Sequence, residues 1–448
     1  MSERARVVGA FAGARWGRPC PTRDDLLRHQ QGRIRRFLRA ELPLAKFYRD
    51  LRARRLEQLP IVDKATIVAD FAGFNSRGIT LDAAMRVAVA AERSRDFAPT
   101  IDGLTVGLSS GTSGTRSVFL VSADERQRWA GLVLARLLSS ASLRQLVTPW
   151  QRPLRLAFFL RANSNLYATV ASRRIAFAFH DLLVPLEQHI EQLNATPPDI
   201  LVAPPTVLHR LALAAIDGSL KIAPRQIVSV AEVIEPDDRI VIGRAFTASI
   251  QEVYQATEGF LAATCAAGRL HLNEEFLHIE SEWLDDSIDG HRRFRPIITD
   301  FTRTTQLVVR YRLDDVLREA QGPCPCGRVT RSLAAVEGRA DDVLWCRVAG
   351  GATLRPVFPD TIRRAMALAG TSLADYRIEQ RGRAWDVQLC CDVSVVVDVQ
   401  QAVRHELAAL ADGLSLRRPD VQFALWTTTS AIDKRRRIRC VERPVEGA

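Results

Sequence analysis

Between Leu154 and Tyr254 the chain alternates short apolar runs with segments of helical spacing, and this alternation limits the folds open to it. Leu154–Leu160, Ile200–Ala203 and residues 226–231 and 252–254 are apolar enough to be strands. Residues 181–193, 206–215 and 237–245 place their apolar side chains three and four apart, which predicts helices. A helix between two strands carries the chain back to the edge it started from, so the strands pair in parallel and the helices cover the sheet. The sequence therefore predicts an α/β protein with a mostly parallel sheet.

The flanks read differently. Residues 24–56 have helical spacing and predict an amphipathic helix; Leu59-Pro60 breaks it, and Asp63 is placed to cap a new one. A helix is expected at 82–92 and a strand at 104–108. After residue 268 the pattern turns β-like, with strands predicted at 276–280, 295–299 and 306–311. The last hundred residues predict a small α+β unit, with strands at 386–389, 394–399 and 421–427 around a helix at 401–411. We place the boundary at Gly338–Asp342, giving domains 1–338 and 339–448.

Composition narrows the function classes. The 448 residues are 47% hydrophobic and 25% charged, which excludes wholesale disorder. No apolar run approaches the ~18 residues of a membrane-spanning helix. The apolar patch 7–14 is flanked by arginines and does not read as a signal peptide, so no membrane partner and a cytoplasmic location are expected. All but four of the 62 basic residues are arginine, and the net charge is +11. These arginines are scattered rather than striped, so nucleic acid is not an expected partner.

The densest chemical signal is Ser109-Ser110-Gly111-Thr112-Ser113-Gly114-Thr115-Arg116-Ser117, which follows an apolar strand. Its N–H and O–H donors suit a polyphosphate, although the spacing is not that of a Walker loop. Alone, such a run reads as a solvated turn. Four more stretches follow it in order: Ala231-Glu232, Tyr254-Gln255-Ala256-Thr257-Glu258, Arg310-Tyr311-Arg312-Leu313-Asp314-Asp315 and Gly338-Arg339-Ala340-Asp341-Asp342. Together they resemble the signature segments of adenylate-forming enzymes, the superfamily of acyl- and aryl-CoA ligases, luciferases and peptide-synthetase adenylation domains. Cys324-Pro325-Cys326-Gly327-Arg328, with Phe47-Tyr48, Leu59-Pro60 and Lys64, is similar to the phenylacetate-CoA ligase and deazaflavin-coenzyme adenylylating branch.

The resemblance implies a large N-terminal domain with mostly parallel sheets plus a β-rich subregion, and a small mobile α+β lid turning about Asp341. It implies ATP and Mg²⁺ as cofactors. Ser109, Ser110, Gly111, Thr112, Ser113, Gly114, Thr115 and Arg116 would cradle the phosphates, Arg116 standing where many relatives carry Lys. Ala231, Glu232 and Tyr254 would flank adenine, Thr257 would reach the α-phosphate, and Glu258 would hold Mg²⁺. Asp315 would bind the ribose hydroxyls and Arg339 would lie near the ribose and α-phosphate. Lys434, preceded by Asp433 where relatives usually have Gly, would bridge the carboxylate and the α-phosphate; Lys434, Thr257 and Glu258 form the catalytic set.

Cys265, His271, Cys324 and Cys326 make a three-thiol, one-imidazole set suited to tetrahedral zinc, strengthened by similar clusters in phenylacetate-CoA ligase-like proteins. Four unrelated buried side chains is the alternative. The expected reaction is ATP-dependent adenylation of an aromatic or acyl carboxylic acid with release of pyrophosphate. Transfer to CoA or a carrier-protein thiol would follow. Adenylyl transfer to a phenolic or enolic coenzyme, acyl transfer to an amine, and a catalytically degenerate nucleotide-binding protein stay open. A second copy of the chain is a further candidate partner. The acyl pocket is expected around His180, residues 204–206 and residues 229–233, with a satisfied core histidine as the other reading of His180.

Overall fold

The computed structural model describes residues 3–17, 20–108, 118–160, 165–284, 291–370, 372–424, 426 and 436–444. The chain forms two compact units. The first contains Met1–Glu280, Ile297–Leu313 and Ala320–Ala334; the second contains Ser281–Pro296, Asp314–Glu319 and Ala335–Ala448.

The first unit opens with helices α1 (Glu3–Trp16), α2 (Arg23–Ala40), α3 (Lys46–Arg49), α4 (Lys64–Ala69) and α5 (Leu81–Ser94). The apolar patch 7–14 lies on α1, where Val7 and Phe11 pack into the core, and Arg15 Nη1 donates to the carbonyls of Ala135 and Leu138. Strands β1 (Thr100–Ile101), β2 (Leu104–Leu108) and β3 (Val118–Val121) form a small antiparallel sheet. Helices α6 (Ala123–Leu137) and α7 (Ser140–Val147) follow.

Next come β4 (Leu154–Leu160), α8 (Asn165–Ala168), β5 (Ile175–Asp181), α9 (Leu186–Ala195), β6 (Ile200–Ala203), α10 (Pro205–Ile216), β7 (Gln226–Ser229), α11 (Pro236–Ala245) and β8 (Ser249–Ala256). The five strands pair in parallel in the order β5-β4-β6-β7-β8. Alternate strand residues face opposite layers. Phe159, Leu201 and Ile227 meet Leu193, Leu208, Leu211 and Ile242 of α9, α10 and α11. Leu156, Val202 and Val228 meet Ala130 and Leu134 of α6. Each fully buried leucine of this kind contributes about 1.5–3 kcal/mol. The predicted α/β architecture is what forms. The sheet then turns antiparallel through β9 (Gly259–Thr264) and β10 (Leu270–Leu272), and Leu270 pairs with Leu333.

Strands β11 (Leu277–Leu284), β12 (Arg293–Asp300), β13 (Tyr311–Arg312), β14 (Asp315–Glu319) and β15 (Ser332–Arg339) supply the β-rich stretch. In the second unit, β16 (Leu344–Arg347) and β17 (Leu354–Val357) form a hairpin. Helices α12 (Pro359–Leu368) and α13 (Val396–Gly413) pack with a sheet of β18 (Asp375–Arg381), β19 (Ala384–Cys390), β20 (Asp420–Ala424) and β21 (Ile438–Glu442). Arg293 and Glu337 form a fully buried ion pair at 2.8 Å.

Four sequence expectations are corrected. The helix predicted over 24–56 ends at Ala40: Pro43 lacks the amide a continuing helix needs, and Arg52 turns left-handed at φ +49°. The helix predicted from 181 starts at Leu186, after Pro185, because Asp181 closes strand β5. The strand predicted at 306–311 is mostly irregular. Its backbone instead bonds elsewhere, Leu307 N–H to Phe74 O and Val308 O from Asp300 N–H, and Arg310 takes φ +44°. The strand predicted at 394–399 becomes a short 3₁₀ turn and then α13. Val399, Val403, Leu407 and Ala411 bury one helical stripe, which overrides the β-propensity of the valines.

Candidate functional site

The carboxyl ends of β6 and β7 are level, because Ala203 pairs with Ser229, and β8 runs on from Glu252, opposite Ser229, to Ala256. The strand order reverses direction at β4, and the carboxyl edge near such a reversal is where α/β sheets bind ligands. Two residues beyond β7, Ala231 takes φ +68°, where a β-carbon costs about 1–2 kcal/mol. That turn sends Glu232 back so that its Oε2 accepts from Thr206 Oγ1 at 2.6 Å. The segments 204–206 and 229–233, grouped by sequence alone, therefore meet.

On β8 a register irregularity falls between Tyr254 and Gln255. Gln255 Oε1 accepts from Trp129 Nε1 at 3.1 Å, fixing the bulged strand to α6. Ala256 pairs with Gly259, which leaves Thr257 and Glu258 as the two-residue tip of the β8–β9 hairpin. Glu232, Tyr254, Thr257 and Glu258 are all half-buried. A backbone bulge beside such a tip re-aims side chains, a device common next to reaction sites.

Residues 109–117, with Ser109, Ser110, Gly111, Thr112, Ser113, Gly114, Thr115 and Arg116, lie outside the described residues, as does Lys434. The residues on either side of the first segment are described: Leu108 pairs with Val118, so its two ends are neighbours. In the second unit Asp315 opens β14 and Arg339 closes β15, and Ala340 N–H donates to Asp314 O at 2.5 Å, bringing the two segments together. Asp314 is ion-paired with Arg295 at 2.8 Å. The Asp342 carboxylate accepts the Arg339 N–H at 2.8 Å and Arg436 Nε at 2.5 Å.

The four predicted zinc ligands converge. One ligand atom from each of Cys265, His271, Cys324 and Cys326 lies within 4.8 Å of the others. Cys265 closes the turn after β9, His271 sits on β10, and the two remaining thiols come from the loop before β15. A zinc tetrahedron with ~2.3 Å Zn–S bonds has S···S edges of about 3.8 Å. The Cys265–Cys324 Sγ···Sγ separation is 3.7 Å, and Cys326 Sγ lies 3.5 Å from His271 Nε2. His271 Nδ1 lies 3.1 Å from the Thr330 carbonyl and 3.0 Å from its hydroxyl. Donation from Nδ1 leaves Nε2 unprotonated toward the thiols, the orientation a metal requires. Burial, chiefly, lowers the His271 pKa and keeps the ring neutral. The donor set fits zinc in number, type and spacing.

His180 takes the core role. It is 5% exposed, stacks on Phe159 with ring centroids 4.4 Å apart, and its Nδ1 lies 3.2 Å from His189 Nδ1. His189 Nε2 donates to the Asp181 carbonyl at 2.9 Å, so His189 Nδ1 must accept and His180 Nδ1 donates. Burial, with the charge of His189 second, lowers the His180 pKa from 6.5 to about 4. Between these values the unfolded chain binds the proton and the folded one does not. Stability from this ring is therefore complete above pH 6.5 and is lost as pH falls toward 4, by about 3 kcal/mol. Replacing His180 by Phe should flatten urea-unfolding free energy over that window relative to the parent; parallel profiles would show the ring is not held neutral.

Trp129, Thr206 and Thr330 support these sites, and only Thr206 carried a sequence signal, its place beside Pro204-Pro205. Arg310 of the Arg-Tyr-Arg segment is an anchor: it makes a bidentate pair with Glu280 and donates to Leu59 O at 2.6 Å.

No protein-family model matches the chain. Protein CapK of Staphylococcus aureus is 27% identical over 170 residues, 37% of this chain and 36% of that protein. A solved 2-hydroxyisobutyryl-CoA ligase, in the postadenylation state with 2-HIB-AMP, superposes with a TM-score of 0.63 at 17% identity, covering 94% of this chain and 89% of its own. The GH3.15 acyl acid amido synthetase gives 0.55 at 12%, covering 90% and 86%. An anthranilate CoA ligase, AuaEII, with anthranoyl-AMP gives 0.51 at 12%, covering 73% and 64%. At these identities the likeness establishes a shared fold, that of adenylate-forming ligases. Among the described residues no helix is long and apolar enough to cross a membrane.

Proposed function

We propose that this chain activates a carboxylic acid with ATP, forming an acyl-adenylate and releasing pyrophosphate, and passes the acyl group to CoA or a carrier thiol. The observation that carries the reading is one edge of the parallel sheet where the left-handed Ala231 turn, Glu232, Tyr254 and the Thr257-Glu258 tip assemble in the order the resemblance implies. The shared fold with ligases solved with acyl-AMP supports it.

Attack of a weak carboxylate on the α-phosphate needs positioning and charge neutralisation rather than a strong base. In this reading residues 109–116 and Thr257 hold the phosphates, Tyr254 and Glu232 flank adenine, and Asp315 and Arg339 serve the ribose side. Glu258 would hold Mg²⁺, which takes carboxylate and phosphate oxygens and there neutralises developing phosphate charge. Residues 339–448 act as the lid, and the phenylacetate-CoA ligase-like branch is the assignment within the superfamily. The aromatic or acyl acid enters beside 204–206 and 229–233. The Cys265, His271, Cys324, Cys326 cluster holds one structural zinc, since four protein ligands leave no position for water.

A second reading, acyl transfer to an amine, draws on the fold shared with the amido synthetase. Exchange of labelled pyrophosphate into ATP, run across a panel of carboxylic acids, tests the first half-reaction. Acid-dependent exchange is expected; ATP binding without exchange for any acid would leave a degenerate nucleotide-binding protein. Offering CoA, carrier thiols and amines to the loaded enzyme then separates the acceptors.

A further inference from the structure

We infer that Asp300 is a second carboxylate for the divalent cation that Glu258 would hold, an assignment that rests on the proposed ATP chemistry. Asp300 ends β12 and begins a tight turn in the first unit. Its Oδ1 accepts from Thr302 N–H at 2.7 Å and from Thr302 Oγ1 at 2.6 Å. Its Oδ2 accepts no hydrogen bond from the described residues, and the side chain makes no ion pair among them, although it is only 2% exposed. That oxygen faces the hairpin tip: a β-carbon on Gly259 would lie 2.8 Å from it. The residue directly after Glu258 is thus a glycine where any side chain would strike Asp300.

The turn that presents Asp300 is tied to the strand leaving the hydroxyl-rich segment. Leu120 of β3 donates its N–H to Gln306 Oε1 at 3.0 Å and accepts from Arg303 Nη2 at 3.1 Å. Glu125, at the start of α6, accepts from the backbone N–H groups of Thr304 at 2.6 Å and Thr305 at 2.9 Å. One short turn is therefore anchored to the exit of the 109–117 segment and abuts the tip that carries Glu258. The Asp300 residue is almost wholly enclosed, and a carboxylate oxygen that no protein donor engages is open to water or an ion. A hard dication that also takes triphosphate oxygens supplies what Oδ2 lacks.

Asp300→Asn isolates the point, because the amide carbonyl still accepts from Thr302 while the second carboxylate oxygen is gone. The probe is Mn²⁺, whose free concentration is read by electron paramagnetic resonance with the full-length protein and a non-hydrolysable ATP analogue. The expected result is Mn²⁺ affinity weakened roughly 10–100-fold, with the thermal midpoint unchanged. Asp300→Ser gives the same test should the amide not be accommodated. Glu258→Gln runs alongside. Parent-like Mn²⁺ affinity in the Asp300 variants with weakened affinity in Glu258→Gln overturns the role of Asp300 alone. Parent-like affinity in both overturns the ATP-site reading beneath it.

Discussion

Lys434→Ala should slow acyl-adenylate formation by roughly 10²–10³-fold, the loss that follows removal of one preorganised charge from a transition state, while ATP still binds. In a chain whose basic residues are almost all arginine, one of four lysines falls in the C-terminal segment where the resemblance needs an ammonium. Two residues on, Arg436 is held to Asp342 at 2.5 Å, so the chain on that side of Lys434 is tied to the segment that follows Arg339. An ammonium can bridge a carboxylate and a phosphate oxygen as a compact charge; guanidinium is planar and prefers a two-oxygen fork, so Lys434→Arg should not restore the rate. Single-turnover pyrophosphate release measures the loss, and equilibrium binding of ATP shows what survives. Turnover equal to the parent's removes Lys434 from the reaction.

The contrast between what sequence predicts and what forms has a physical source. Leu154–Leu160 and Ile200–Ala203 are read to the residue because a strand covered on both faces is apolar nearly throughout, Arg155 being the one charged residue in the two runs. Asp63 is legible as a cap because its carboxylate takes the Thr66 N–H at 2.9 Å, a bond confined to four residues of sequence. The segment 306–311 looks like a strand for the same apolar reason, yet its Leu307 N–H donates to Phe74 O, far away in sequence, and its Val308 carbonyl accepts from Asp300 N–H. The valines of 393–399 carry β-propensity, and only the packing of α13 decides against it. The proposed site divides the same way. Thr257 and Glu258 are singled out by their local pattern, whereas the contacts of Trp129 with Gln255, of Thr330 with His271 and of Asp300 with Gly259 span more than forty residues of chain, where no local pattern marks them.

Removing zinc should cost about 4 kcal/mol relative to protein kept at free zinc a thousandfold above its dissociation constant, a fall of about 6 °C in thermal midpoint for a unit of this size. The cost falls on a particular joint. Cys265 ends the hairpin whose tip is Thr257-Glu258, His271 lies on the strand that pairs with β15 through Leu270 and Leu333, and Cys324 and Cys326 belong to the loop between. Without metal that joint holds three thiols against each other: burial, chiefly, pushes Cys326 up to about 11, while against burial the backbone N–H groups of Arg269 and Ala267 hold Cys265 below its usual value. With Zn²⁺ three thiolates and one neutral imidazole carry a net charge of minus one, which the nearby Arg269 and Arg328 favour. Metal analysis of protein purified without chelator should find about one zinc per chain. Chelation and Cys324→Ser should lower the midpoint by the same amount, and chelating the variant should lower it no further, because both remove one interaction. Additive losses, or a chelated protein as stable as the parent, would leave the four residues as packing side chains only.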